Sequence, residues 1–108
     1  IISCDSGSKE VDVSKIIYIE SSGHKVTYHI HGKEFGDYVV KSKLDDIENE
    51  LKEYKYLLRV HQSYIVNMMY VNNISSYRVY LKNGIDLGVP KSRYKEVKKR
   101  ILEFKENN

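Results

Sequence analysis

Cysteine is nearly absent. Cys4 is the single one among 108 residues, so no disulfide can close within the chain, a zinc site built from several thiolates is excluded, and a reducing, cytoplasmic setting fits. Long apolar runs are missing too. Lys55 interrupts the stretch from Tyr54 to Leu58, and Asn67 the one from Tyr64 to Val71. Both fall far short of the roughly 20 apolar residues that a membrane-spanning helix needs, and no membrane partner is expected. The chain opens on Ile1 without a charged-then-apolar leader, and so reads as a fragment of something longer rather than a secreted precursor. There is no Gly-x-Ser-x-Gly elbow, no cysteine beside a plausible base and no glycine-rich phosphate loop opening a helix. Asp45, Asp46, Glu48, Glu50 and Glu53 cluster on one helix-forming stretch instead of converging on a cleft. No catalytic residue is assigned, and neither an enzyme nor a cofactor is expected.

His29 and His31 stand two apart, as the first ligands of a metal site on one face of a strand would. A third ligand would have to be His24 or His61, with no cysteine or carboxylate at a reinforcing spacing. The pair is therefore read as the wet side of a half-buried strand, and no metal is expected. The ten tyrosines could be stacking platforms for unpaired bases. Most alternate in phase with Val and Ile, however, which is the pattern of rings filling a small β core with the hydroxyl reaching water.

What is present is one domain's worth of short strands with two helices. A chain of this length can bury about two-thirds of its unfolded surface and fold without a staple. Residues 1–8, with Ser6-Gly7-Ser8, read as a linker remnant, and 9–106 as the domain. Val11 and Val13 begin an alternation that leads into Ile16-Ile17-Tyr18-Ile19, a buried strand. Ser21-Ser22-Gly23 breaks it and puts His24 at a loop tip. Val26, Tyr28 and Ile30 then share one face of a second strand, and Gly32 turns the chain back into 33–40. Ser42 as N-cap, Asp45 at N3 of a capping box, and Leu44, Ile47 and Leu51 at helical spacing predict a helix from Lys43 to Glu53. Strand character resumes at Tyr70-Val71 and Ile74. Asn83-Gly84 between alternating runs predicts a two-residue type I′ hairpin. Pro90 ends that last strand and introduces a helix from Ser92 to Lys105, with Tyr94, Val97, Ile101 and Phe104 as its apolar stripe. The pattern predicts a mainly antiparallel β fold with one inserted helix and one terminal helix.

The net charge of +3 is modest, but it is unevenly placed. The first helix is acidic, while Lys91, Arg93, Lys95, Lys98, Lys99, Arg100 and Lys105 crowd the tail, which gives the domain a basic side. Donor-rich side chains fall at strand ends: Ser22, His24 and Lys25, then Gln62 and Ser63, then Lys91, Ser92 and Arg93. These are the residue types that grip phosphates and read base edges. Arg59 to Asn67 reads RVHQSYIVN, in which period two places Arg59 and His61 on one face and Val60 and Gln62 on the other, before a corner at Ser63 and an apolar anchor.

That stretch resembles the LytTR family of bacterial DNA-binding domains, whose signature appears here as Arg59, His61, Ser63, Tyr64, Ile65, Val66 and Asn67. Ile16, Ile19 and Glu20, the Asn83-Gly84 turn and the basic segment after Val89 follow in the family's order, so the resemblance extends from Val11 to Lys99. It implies small antiparallel sheets stacked side by side. It also implies three loops that enter successive grooves of a duplex: His24 stands in the first, Gln62 after the signature His, and Lys91 or Arg93 after the last strand. Two departures stand out. Gln62 replaces the common Arg or Asn, and Pro90-Lys91 stands where Ser-Arg is common.

The expectation is a sequence-specific double-stranded DNA-binding domain, with Ser22, His24, Lys25, Arg59, His61, Gln62, Ser63, Asn67, Lys91, Ser92 and Arg93 at the DNA. It would be the output half of a response regulator that acts on promoter repeats and is covalently joined to an N-terminal receiver domain; whether a second copy joins it on DNA stays open. The alternatives are a β-rich protein-interaction module pairing through a strand edge and a single-strand binder.

Overall fold

The computed structural model of the chain describes residues 2–4, 7–9, 12–32 and 37–107. Among them the order is β1 (Ile2–Cys4), β2 (Gly7–Lys9), β3 (Ile16–Ser22), β4 (Lys25–Ile30), β5 (Tyr38–Lys41), α1 (Leu44–Glu50), β6 (Leu57–His61), β7 (Tyr64–Asn67), β8 (Val71–Ser75), β9 (Arg78–Leu81), β10 (Asp86–Gly88) and α2 (Lys91–Glu106). The strands form a central sheet in the order β5-β4-β3-β7-β6, a smaller β10-β9-β8 sheet and the β1-β2 ladder. All pairings are antiparallel. This is the mainly β architecture of small sheets, one inserted helix and one terminal helix that the sequence predicts.

The central sheet is covered on both faces. On one lie Ile16, Ile19, Val26, Tyr28, Val40 and Ile65 under Leu44 and Ile47 of α1 and Leu51 just beyond it. On the other lie Tyr18, Leu58, Val60 and Val66, under the small sheet and under Val97 and Ile101 of α2. This explains why Ile16-Ile17-Tyr18-Ile19 shows no polar alternation: β3 is buried on both sides, so its successive side chains all enter a core. A bulge between Ile16 and Tyr18 puts Ile16 and Ile19 in the same cluster.

A second bulge corrects the period-two reading of the signature stretch. The pairing of β6 with β7 shifts between Arg59 and His61, so that Arg59 lies opposite Ile65 and His61 opposite Tyr64. Because Tyr64 and Ile65 are adjacent in a strand, they face opposite ways, and Arg59 and His61 are thereby split between the two faces. Val60 is the extra residue, and it is fully buried.

Turn chemistry also differs from expectation. Gly84 N donates to Leu81 O (3.1 Å) and Leu81 N to Ile85 O (2.8 Å), and Gly84, unlike Asn83, has positive φ, at +88°. This is a three-residue loop closed by a left-handed glycine rather than a two-residue type I′ turn. The two-residue turn with both central φ positive sits instead at Ser76 (φ 52°) and Tyr77 (φ 62°), between the paired Ser75 and Arg78.

Helix α1 is shorter than predicted. Lys43 is its N-cap, with no side-chain cap bond, because Asp45 binds Arg59 and Ser42 N is held by His24 O (3.1 Å). Val13 opens a 3-10 turn, Val13–Lys15, not a strand. Asp12 caps this turn, and the bonds from Ser14 hold its carboxyl below the usual range. Val11 and the first part of the expected 33–40 strand lie outside the described residues. Where a linker was expected at the start of the chain, Ile2 pairs with Lys9 and Cys4 with Gly7.

Val66 has no exposed surface, so Val66→Ala should lower stability by about 1–3 kcal/mol through the cavity left behind, seen as a lower urea midpoint with an unchanged slope. Gly84→Val should cost about 1–2 kcal/mol, since a β-branched residue is strained at that φ; a wild-type midpoint would show that the loop can close another way.

Candidate nucleic-acid interface

Two turns lie side by side at one end of the central sheet. The β3–β4 turn has Gly23 at φ +60° between the paired Ser22 and Lys25. Glycine is required there by the backbone alone, since a Cβ would meet no atom within 4 Å. Ser22, His24 and Lys25 are all exposed. Ser21 N donates to Ser63 O (2.9 Å), which ties this turn to the β6–β7 turn carrying exposed Gln62 and half-buried Ser63. Ser21, Gly23, Lys43, Gln62 and Ser63 line one shallow groove, with Arg59 and Asp45 on its wall.

The β6–β7 turn is held from inside by Arg59. Its Nε donates to His61 O (2.8 Å) and its Nη2 to Gln62 O (2.6 Å), while Nη1 meets Asp45 Oδ1 (2.9 Å) and Glu48 Oε1 (2.8 Å). The Arg59 side chain is only 8% exposed. Arginine suits this role because its planar fork can bind several acceptors at fixed angles. Arg59, expected at the DNA, has all three of its nitrogens engaged within the fold. His61 works from the other side, its Nδ1 accepting from Ser63 N (2.9 Å).

Asn67, also expected at the DNA, is fully buried. Its Nδ2 donates to Ser14 O (3.1 Å) and Ile16 O (2.9 Å), and its Oδ1 accepts from Met69 N (2.9 Å). It staples the end of β7 to the start of β3 and cannot reach a ligand.

The third element is a helix start rather than a loop. Pro90 is the N-cap of α2 in extended conformation, and Arg93 N donates to Pro90 O (3.0 Å), so Lys91, Ser92 and Arg93 form the first helical turn, all exposed. Arg93 and Arg100, seven residues apart on one helix face, line a groove with Glu48, Lys52 and Leu57–Arg59. The start of α2 thus borders the same arginine that holds the Gln62 turn. Lys91, Arg93, Lys95 and Lys98 make no ion pair among the described residues, whereas α1 lends Asp45 and Glu48 to Arg59.

His29 is not simply on a wet face. Its Nε2 meets Glu20 Oε1 (2.6 Å), its Nδ1 meets Asp37 Oδ2 (2.9 Å), and its ring stacks on Tyr18 at 4.1 Å and 15°. Sequence reasoning missed both this contact set and the Arg59 carboxylates. The latter lie 14 and 11 residues away in sequence, a separation that leaves no periodic trace; an arginine next to an acidic helix in the strand order was the only hint.

The family model of the LytTr DNA-binding domain matches residues 6–102. The chain belongs to that family. The sensory transduction protein LytT of Bacillus subtilis is 33% identical over 97 residues; the match covers 84% of this chain and 38% of that protein, so the chain spans under two-fifths of the relative's length. Among solved structures, the LytTr DNA-binding domain of a Bacillus cereus protein superposes with a TM-score of 0.69 at 24% identity, covering 93% of this chain and 92% of that one. The mainly β architecture described above is thus the LytTr fold, and the chain is a DNA-binding domain of the kind used in transcription regulation.

If Arg59 orients the turn and touches no phosphate, Arg59→Lys should lower stability by about 1–3 kcal/mol through lost charged hydrogen bonds. It should weaken duplex binding without changing the salt dependence. A denaturant melt combined with anisotropy titrations at several salt concentrations checks this; a salt slope reduced by about one would make Arg59 a phosphate contact after all.

Proposed function

We propose that this LytTr domain reads duplex DNA sequence-specifically as the output half of a two-component response regulator, and that it performs no chemistry of its own. The observation that carries the reading is the grouping of unspent donors. Ser22, His24 and Lys25 on one turn and Gln62 on the next stand at the same sheet end, bound by Ser21 N to Ser63 O. Lys91, Ser92 and Arg93 begin the helix that shares a groove with the arginine behind Gln62. The likeness to a sensory transduction protein longer than this chain supports a covalently linked receiver domain, and with it a cytoplasmic setting and promoter repeats as the target.

The roles divide by chemistry. Gln62 can donate and accept at once, as the N6 and N7 edge of adenine requires, and His24 can reach a base edge from its turn tip. Lys25, Lys91 and Arg93 supply charge to phosphates, and Ser22, Ser63 and Ser92 supply neutral donors. His61 acts indirectly, through its bond to Ser63 N.

Gln62→Ala should therefore weaken a preferred duplex by about 1–3 kcal/mol and leave a scrambled duplex unchanged, because the backbone carbonyl that Arg59 holds is retained. Lys25→Ala should weaken both alike and lower the salt slope by about one. With about four cations at phosphates, the wild-type slope of log affinity against log salt should be roughly −3 to −4. Equal losses on both duplexes for Gln62→Ala would make its turn a clamp rather than a reader, and a slope near zero would remove the phosphate contacts altogether.

A further inference from the structure

Folding accounts for the shape of the Ser76–Tyr77 turn but not for the tyrosine placed in it. Both residues lie in the left-handed region, where a two-residue turn favours Asn-Gly and where a bulky aromatic residue is strained. Burial gives little in return, since Tyr77 is 47% exposed and belongs to neither core cluster. Its surroundings are specific. The Tyr77 ring packs on Tyr94 at 4.5 Å between centroids, Lys91 Nζ sits 6.0 Å from the Tyr77 centroid, and Lys98 Nζ sits 5.8 Å from that of Tyr94. Tyr77 O accepts from Val89 N (2.8 Å), which fixes the turn to the segment entering α2. The neighbouring Arg78 is taken by Asp86, whereas Lys91, Lys98 and the Tyr77 hydroxyl have no hydrogen-bonded partner among the described residues.

We propose that this turn is a fourth DNA-contacting element. It grips the sugar–phosphate backbone next to the Lys91–Arg93 contact, with the Tyr77 hydroxyl donating to a phosphate oxygen and the Tyr77 ring holding the Lys91 ammonium in place. The inference rests on the DNA-binding reading above and extends its footprint. A strained aromatic residue kept half-exposed beside two unpaired ammonium groups is an arrangement that serves a ligand better than it serves the fold. A polyanion is the ligand that fits. Contact through a hydroxyl and a point charge carries no base information, so the element adds affinity and register without adding sequence preference.

The test uses the 108-residue chain and two labelled duplexes of equal length: one enriched from a random pool on the wild-type protein, and a scrambled version of it. Tyr77→Phe keeps the ring and removes the hydroxyl. It should weaken both duplexes by the same factor, about 3- to 10-fold as expected for one lost hydrogen bond, with salt slope and melting temperature unchanged. Tyr77→Gly also removes the ring but suits the backbone. It should weaken both duplexes further and lower the salt slope, while the melting temperature stays level or rises. A merely structural tyrosine would instead lose stability and affinity together in the glycine variant and lose neither in the phenylalanine variant. Wild-type affinity for both duplexes in both variants would overturn the fourth contact while leaving the other three standing. Failure of the wild-type chain to bind either duplex would overturn the DNA-binding reading itself, and the two failures are distinct in the same experiment.

Discussion

Burial of β3 and β7 on both faces is the constraint on which the rest of the structure depends. With α1 over one side of the central sheet and the small sheet and α2 over the other, the doubly covered stretches Ile16–Ile19 and Ile65–Val66 carry only Ile, Val and Tyr. Polar side chains are pushed to the strand ends, where the chain leaves the sheet and water can reach it. A sheet of this kind has no flat polar face to offer a duplex. What it offers is an edge-on row of turns, each joining two strands and so set roughly 10 Å apart, twice the separation between adjacent strands. The β3–β4 and β6–β7 turns are neighbours because β3 and β7 are paired, and the Ser21–Ser63 backbone bond is simply the last rung of that ladder.

Holding the Gln62 turn at a fixed angle is then an electrostatic task. A turn exposed enough to meet DNA has few apolar contacts to stiffen it, so Arg59 reaches along it from below and binds two of its carbonyls. A cation in that position would by itself be largely desolvated. Asp45 and Glu48 compensate it, and because both are substantially exposed, their Coulomb attraction is screened and modest. The geometry matters more than the energy. The acidic helix also has a wider effect: Glu48 shares a groove with Arg93 and Arg100 of α2, so charges of opposite sign meet along one seam of the domain. The net charge alone conceals this polarity.

The elements that were legible in the sequence are those fixed by local pattern. The buried run at Ile16–Ile19 and the stripe of α2 after Pro90 follow from periodicity and breaker residues, and the signature from Arg59 to Asn67 named the family and, with the local pattern, placed Val66 in the core. The misread features share a different cause. Period two presumes an unbroken register, and the bulge at Val60 turns His61 away from the face of Arg59. A capping box presumes that Asp45 is free, but Arg59 takes it. Donor-rich residues in a signature suggest contact with a ligand, whereas Asn67 spends every group it has on the chain around it. In each case a partner distant in sequence overrode a sound local preference.

Turn chemistry shows the same competition from the other direction. Asn83-Gly84 has the residues of a type I′ turn, yet the chain between β9 and β10 closes through three residues with a single left-handed glycine. Ser76-Tyr77 lacks those residues and adopts the two-residue left-handed form. Register decides both. The pairing of Ser75 with Arg78 leaves room for only two residues between β8 and β9, and in so short a loop the right-handed twist of the strands selects the primed turn whatever its sequence. The β9–β10 pairing begins farther from its turn, at Tyr80 and Asp86, which gives Asn83 room to stay out of the left-handed region and accept a bond from Ile85 N instead. Strain is thus concentrated at Tyr77, the one turn residue whose ring packs onto α2, and that coupling joins the geometry of the small sheet to the start of the basic helix.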